Sequence, residues 1–205
     1  MMTGSIAGRF CLLCSIAITA LAGCSSAPMR YYTLQPMPGS QSGRAVYNGP
    51  ALQVNIVHIP PELDRNELMR EVTPGRFEIR EFDRWIGPLG RMARQTLSED
   101  LALRLPAGSL IYPDAHPPAG VVSISIDVLS FRTEGPTATM QVSWGTRVAG
   151  LLTPSGCGGQ LDLRTPLGDP QGTGTPVAFS ALLGELADSI SGQLAAGCIS
   201  TVPVF

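Results

Sequence analysis

Two alternating apolar rows constrain this chain more than any other feature. Val122, Ile124, Ile126 and Val128 alternate with Ser123, Ser125 and Asp127. Farther on, Ala138, Met140, Val142, Trp144 and Val148 share one face, and Thr139, Gln141, Ser143 and Arg147 share the other. Strand side chains alternate with a period of two, so each row predicts a sheet strand with one buried and one polar face. Residues 133–136, ending in Gly135-Pro136, supply a short turn, and the pair reads as an antiparallel hairpin. Its apolar face must be covered by other elements of the chain.

Two segments carry a matching helical stripe. Leu89, Met92, Ala93, Leu97, Leu101 and Leu105 recur at three- and four-residue steps, with Pro88 at the first turn and Pro106 ending the run. Near the chain's end, Phe179, Leu182, Leu183, Leu186, Ile190 and Leu194 form a second stripe. Thr175 is its expected N-cap, Pro176 lies in its first turn, and Gly197 is its expected stop. Further strands are expected where Leu52, Val54 and Ile56 alternate with Gln53 and Asn55, ending at Pro60-Pro61. Another is expected where Phe77 and Ile79 alternate with Glu78 and Arg80 and run into Phe82-Asp83-Arg84-Trp85. Leu161 and Leu163 suggest one more short strand. Residues 35–50, 62–75 and 165–175 read as loops or polar connections, rich in Pro, Gly and charge. The order predicts an α+β fold: a mixed, mostly antiparallel sheet with two main helices packed on one face.

Composition removes several kinds of chemistry. The 205 residues carry 14 basic and 16 acidic side chains, a formal charge of −2, which gives no electrostatic footprint for nucleic acid. All the basic residues are arginine. Without lysine there is no Walker A phosphate loop and no Schiff-base or general-base lysine. His58 and His116 are the two histidines, too few for a His-rich metal site. His58 reads as a partly exposed strand residue and His116 as a loop residue. There is no Gly-x-Ser-x-Gly elbow. The neighbouring carboxylates Glu62 and Asp64, and Glu99 and Asp100, read as solvated charge. Gly156, Gly158 and Gly159 flank Cys157 outside any strand–glycine–helix order. No catalytic residue, metal or cofactor is expected.

The amino terminus reads as an address. Arg9 precedes an apolar run over residues 10–21, too short to serve comfortably as a permanent membrane span. The run ends in Leu21-Ala22-Gly23-Cys24, which resembles the bacterial lipobox. Residues 1–23 are then a lipoprotein signal peptide, and Cys24 is acylated on its thiol and on its new amine. Several acyl chains anchor stably where one is marginal. Ser25, rather than aspartate, follows the cysteine. By resemblance to sorted lipoproteins this points to the periplasmic face of the outer membrane.

Residues 24–30 form a short lipidated tether, and 31–205 a single domain. Cys11 and Cys14 leave with the signal. Export leaves Cys157 and Cys198 in an oxidising compartment, where they are the candidate disulfide. The loop of about 40 residues would be worth ~3–4 kcal/mol in the chain-entropy account.

One polar pair of segments stands out. Leu63-Asp64-Arg65 and Phe82-Asp83-Arg84-Trp85 set charges beside bulky apolar groups. Cross-pairing between them, with Trp85 under the first helix, is one reading. A partner-binding surface of Leu63, Asp64, Arg65, Asp83, Arg84 and Trp85 is the other, since Trp and Arg anchor many interfaces.

The order lipobox, Tyr31-Tyr32-Thr33-Leu34, Ile59-Pro60-Pro61-Glu62-Leu63-Asp64-Arg65, Phe82-Asp83-Arg84-Trp85 and Pro88-Leu89 resembles the ABC-type transport auxiliary lipoproteins, the PqiC-like group. Gly87 departs from that pattern, standing where similar proteins carry an acidic residue. The resemblance implies an outer-membrane lipoprotein facing the periplasm. It implies work with a tunnel-forming mammalian-cell-entry (MCE) domain protein and its inner-membrane permease and ATPase, moving phospholipid or another hydrophobic cargo. It also implies docking at the tunnel's distal end, as a homo-oligomeric ring of subunits. Two rivals predict other behaviour: a direct lipid-binding module, which would carry co-purifying lipid, and an envelope hydrolase, which would depend on His58 or His116.

Overall fold

The structure is a computed structural model, and it describes residues 27–39, 44–73, 75–148, 156–169 and 174–199. Cys24 and the signal segment lie outside the described residues. The strands are β1 (Arg30–Tyr32), β2 (Leu52–His58), β3 (Glu67–Thr73), β4 (Arg76–Trp85), β5 (Leu110–Ile111), β6 (Val122–Glu134), β7 (Thr137–Val148) and β8 (Gly158–Pro166). Two helices, α1 (Leu89–Arg104) and α2 (Gly174–Ala195), complete the order.

The fold is α+β, with two helices packed against mixed sheet. The strands divide into two sheets, of orders β5-β2-β6-β7-β8 and β1-β4-β3. In the larger sheet β2 runs parallel to both β5 and β6, while β6-β7-β8 is an antiparallel meander. The expected hairpin is its centre. Val122, Ile124, Ile126, Val128, Ala138, Met140, Val142 and Trp144 are buried, whereas Asp127, Gln141 and Arg147 on the alternate positions are exposed. Helix α1 packs on β2, and α2 packs on α1, β7 and β8. Leu89, Ala93, Leu97 and Leu101 of α1 are buried, as are Phe179, Leu182, Leu183, Leu186, Ile190 and Leu194 of α2. Phe131 of β6 meets Phe179 edge-on, with centroids 4.7 Å apart and planes at 85°. The core lies between the helix pair and the larger sheet.

Four details differ from the sequence reading. Part of the polar stretch 62–75 is strand β3, antiparallel to β4, with Leu68 and Glu71 buried. In β2 the register shifts between Val54 and Ile56. That irregularity turns Ile56 out to solvent and Val57 into the core, because one slipped residue reverses the face of everything beyond it. Helix α2 starts at Gly174, so Thr175 lies inside its first turn and is buried rather than capping it. The Gly174 amide donates to the Asp169 carbonyl at 3.1 Å, and the helix begins two residues before Pro176, the first helical residue expected. Finally, β8 extends over nine residues, beyond the short segment around Leu161 and Leu163. Gly197 has φ +80° directly after α2, the left-handed stop expected there.

Candidate functional site

Residues 82–85 end strand β4 of the smaller sheet, and 63–65 lies in the turn that leads into β3; the two segments hold buried groups as well as exposed ones. Asp83 is 2% exposed and lies at the centre of a clasp. Arg30 donates Nε to its Oδ1 at 2.6 Å and Nη2 to its Oδ2 at 3.0 Å. The Tyr32 hydroxyl donates to Oδ1 at 3.0 Å, and Arg80 Nε stands 3.0 Å from Oδ2. Fork-to-fork pairing of guanidinium and carboxylate is among the stronger polar contacts. The hydrogen bond to Asp83 holds the Arg30 pKa above its ordinary value, and burial, then Asp83, raises that of Tyr32. The clasp fixes β1 to β4 in parallel register, Arg30 opposite Asp83 and Tyr32 opposite Trp85. A three-residue strand has little else to order it.

Trp85 is also buried, and its amide donates to the Asn66 carbonyl at 2.7 Å. Asp83 and Trp85 are therefore inside the fold and position the segment; they are not surface contacts. Leu63 is half-buried against the core, in a turn whose Leu63 and Asp64 amides donate to the Pro60 carbonyl. Asp64 and Arg65 are exposed. Asp83 pairs with Arg30 and Arg80 rather than with the 63–65 segment, and the two segments approach each other through Glu67, which lies outside both. Arg65 Nε and Arg84 Nη2 each stand 3.8 Å from a Glu67 carboxylate oxygen. Arg84 is half-buried, and its Nε is buried without an acceptor. Among the six candidates, Asp64 and Arg65 are exposed, with Leu63 and Arg84 beside them in part.

A second polar cluster lies where the sequence pattern predicts solvated charge. Asp100 is fully buried, not solvated, and so is nearly all of Arg104. Arg104 donates Nε to Asp188 Oδ1 at 2.6 Å, Nη1 to the carbonyls of Met37 and Asp100 at 3.0 and 2.9 Å, and Nη2 to that of Gly184 at 3.0 Å. Asp100 Oδ1 accepts the Met37 amide at 2.6 Å. The cluster thereby ties the segment after β1 to both helices. Gly184 permits this approach, since a Cβ there would meet the Met37 Cβ at 2.9 Å. The signal was present in the helical period: positions 100 and 104 fall on the same side of α1 as Leu97 and Leu101.

Burial pushes the Asp100 pKa up to about 6, against the opposing pull of the Met37 amide and Arg104, and its Oδ2 is buried without a donor. The folded state thus holds this proton more tightly than the unfolded chain does. The resulting stabilisation is present at low pH and is lost as pH rises through about 6. Between pH 5 and pH 7 the loss should be about 1 kcal/mol, and Asp100→Asn should abolish it. Urea midpoints of both proteins across that range check this; parallel curves would contradict it.

Cys157 and Cys198 form a disulfide, with Cα atoms 5.2 Å apart. It joins the approach to β8 to the end of α2. His58 is exposed on β2, with Nε2 4.0 Å from Asp127 Oδ1, and His116 is exposed in a loop. Among the described residues, no group of three or more His, Cys, Asp or Glu is placed to hold a metal ion. Among the same residues, no helix is long and apolar enough to cross a membrane.

Residues 32–191 match the family described as the ABC-type transport auxiliary lipoprotein component. No curated protein matches the chain. Among solved structures, the fold resembles that of an uncharacterized protein at a TM-score of 0.61 and 17% identity, covering 83% of this chain and 99% of that one. It also resembles protein XCC0632 from Xanthomonas campestris, of the DUF330 family, at a TM-score of 0.60 and 14% identity, covering 82% and 99%. At such identities the likeness speaks to fold alone.

Proposed function

The chain belongs to the ABC-type transport auxiliary lipoprotein component family, and on that premise we propose that it is the outer-membrane-anchored auxiliary subunit of an MCE-type intermembrane transport system. In this reading, residues 1–23 direct export and are removed, 24–30 form the acylated tether, and 31–205 form the auxiliary domain. The observation that carries the proposal is where the family match begins. Its first residue, Tyr32, belongs to the strand clasped by Asp83, a few residues after Cys24. A lipid on Cys24 would therefore hold a folded domain close to the bilayer, on a lead too short to reach across the periplasm.

The proposed role is binding, with no catalytic step. Energy comes from the partner ATPase, and the hydrophobic cargo moves through the MCE tunnel and its permease. The exposed pair Asp64 and Arg65, with Leu63 and Arg84 at their edge, is the proposed grip on the tunnel's distal end. The buried pair Asp83 and Trp85 sets the position of that grip. Several copies arranged as a ring would match a tunnel mouth.

The anchor is tested by Cys24→Ala. The substituted protein should leave the outer-membrane fraction and lose its support of envelope integrity, measured as detergent and dye sensitivity of the cells. Unchanged partitioning with the membrane would contradict the proposal.

A further inference from the structure

We infer that the β1–β4 ribbon of the smaller sheet lies against the lipid bilayer itself, as a second and non-covalent membrane contact. The inference rests on acylation at Cys24. Among the described residues twelve large apolar side chains are exposed, and six of them, Met29, Tyr31, Phe77, Ile79, Phe82 and Ile86, lie on this ribbon or directly beside it. Scattered exposed apolar residues are ordinary, but half of the total in two short paired segments is a concentration that asks for a cover.

Among the described residues nothing covers them. Phe77, Ile79 and Phe82 are 40%, 44% and 41% exposed, and Tyr31 is 61% exposed. Ile79 and Phe82 open on a shallow concavity of about 340 Å³, walled also by Arg30, Arg80, Glu78, Glu81 and Asp83. The open face of the larger sheet is more polar, lined by Ser123, Ser125, Asp127 and Gln141, with Ile56 and Leu129 as its exposed apolar side chains.

The tether chooses the occupant. Six peptide steps separate Cys24 from Arg30, so covalent geometry limits their separation to about 21 Å. The bilayer thus lies within reach of β1, and β1 is fixed to β4 by the Asp83 clasp. Charge does not oppose the contact. Along the two strands Arg30, Arg76, Arg80 and Arg84 face Glu78, Glu81 and Asp83, a near balance that headgroups of mixed charge tolerate. Half-exposed phenylalanines and a tyrosine suit interfacial depth, where an apolar ring and a polar tip are both accommodated. Each side chain has little area left to bury, so the ribbon would not bind on its own. It orients a domain that the acyl chains already hold.

The test compares two tyrosines within one protein. The acylated chain is reconstituted in vesicles of phosphatidylethanolamine and phosphatidylglycerol and oxidised by hydroxyl radicals. Without a membrane contact, Tyr31 should react at least as readily as Tyr112, which is 50% exposed on the other sheet's side. On vesicles Tyr31, Phe77 and Phe82 should be protected, with Tyr31 oxidised about threefold less than Tyr112. In the triple variant Phe77→Ser, Ile79→Ser, Phe82→Ser, the two tyrosines should react alike. Equal reactivity in wild-type protein that floats with the vesicles would overturn the ribbon contact and leave the anchor standing. Failure to float would remove the anchor, and the ribbon proposal with it. Protection that grows with the ratio of protein to lipid would mean that a second copy covers the ribbon, and would overturn the bilayer contact.

Discussion

Replacing Arg104 by methionine is expected to lower the unfolding free energy by about 3–5 kcal/mol, the range for removing one partner of a buried ion pair. The reason is what the guanidinium leaves behind. Asp188 loses a 2.6 Å partner, and Asp100, fully buried, loses its only nearby positive charge in the cluster. The helical carbonyls of Asp100 and Gly184 lose a second donor and that of Met37 loses the guanidinium as its donor; an unpaired buried acceptor costs about 1–3 kcal/mol. Methionine restores the stem's packing but none of these bonds. Arg104→Lys should recover part of the loss, because an ammonium carries the charge without the planar fork that reaches both helices and the 37–39 segment. Urea denaturation of the three proteins measures this. A loss below about 1 kcal/mol in Arg104→Met would mean that the cluster is not what joins those elements.

The second large effect concerns the disulfide. Cys157→Ser with Cys198→Ser is expected to cost about 3–4 kcal/mol, the loop-closure entropy returned to the unfolded chain. The sequence separation of 41 encloses β8 and α2, the elements that close one side of the core. Contacts at the Cys157 end should survive in the folded state: its carbonyl accepts the Thr146 amide and hydroxyl at 3.0 and 3.1 Å. The loss should therefore appear as a lower denaturation midpoint with a native-like fold. Reductant should move wild-type protein to the same midpoint and leave the serine variant unmoved. Equal midpoints for the oxidised protein and the serine variant would contradict this.

The elements legible in the sequence were those whose period is repeated by side-chain type. The hairpin's two rows and the helical stripes each repeat one chemical choice several times, so burial follows from pattern. Cysteine parity identified the disulfide for the same kind of reason, once export was read from Leu21-Ala22-Gly23-Cys24. Strand β3 was not legible, because Glu71 occupies a buried position. Its Oε1 accepts the Gly75 amide at 2.7 Å, a partner that sequence alone does not announce. The irregularity in β2 was hidden too, since Ile56 continues the alternation that the backbone breaks there. Division into two sheets depends on which strand edges pair, and that is a property of the assembled chain. At the candidate site, Asp83 reads as surface charge beside Arg84. Its burial is explained by Arg30, more than fifty residues away, which local pattern does not reach.

The central claim is that this domain works by holding a transport assembly. Its most direct test is affinity purification of the tagged, acylated protein from gently solubilised envelopes, followed by identification of what accompanies it. The account predicts an MCE-domain protein together with a permease and its ATPase. It also predicts that this set is lost when Asp64 and Arg65 are reversed in charge while the denaturation midpoint is unchanged. Recovery of the lipoprotein without any transport component, under conditions that preserve other envelope complexes, would contradict it.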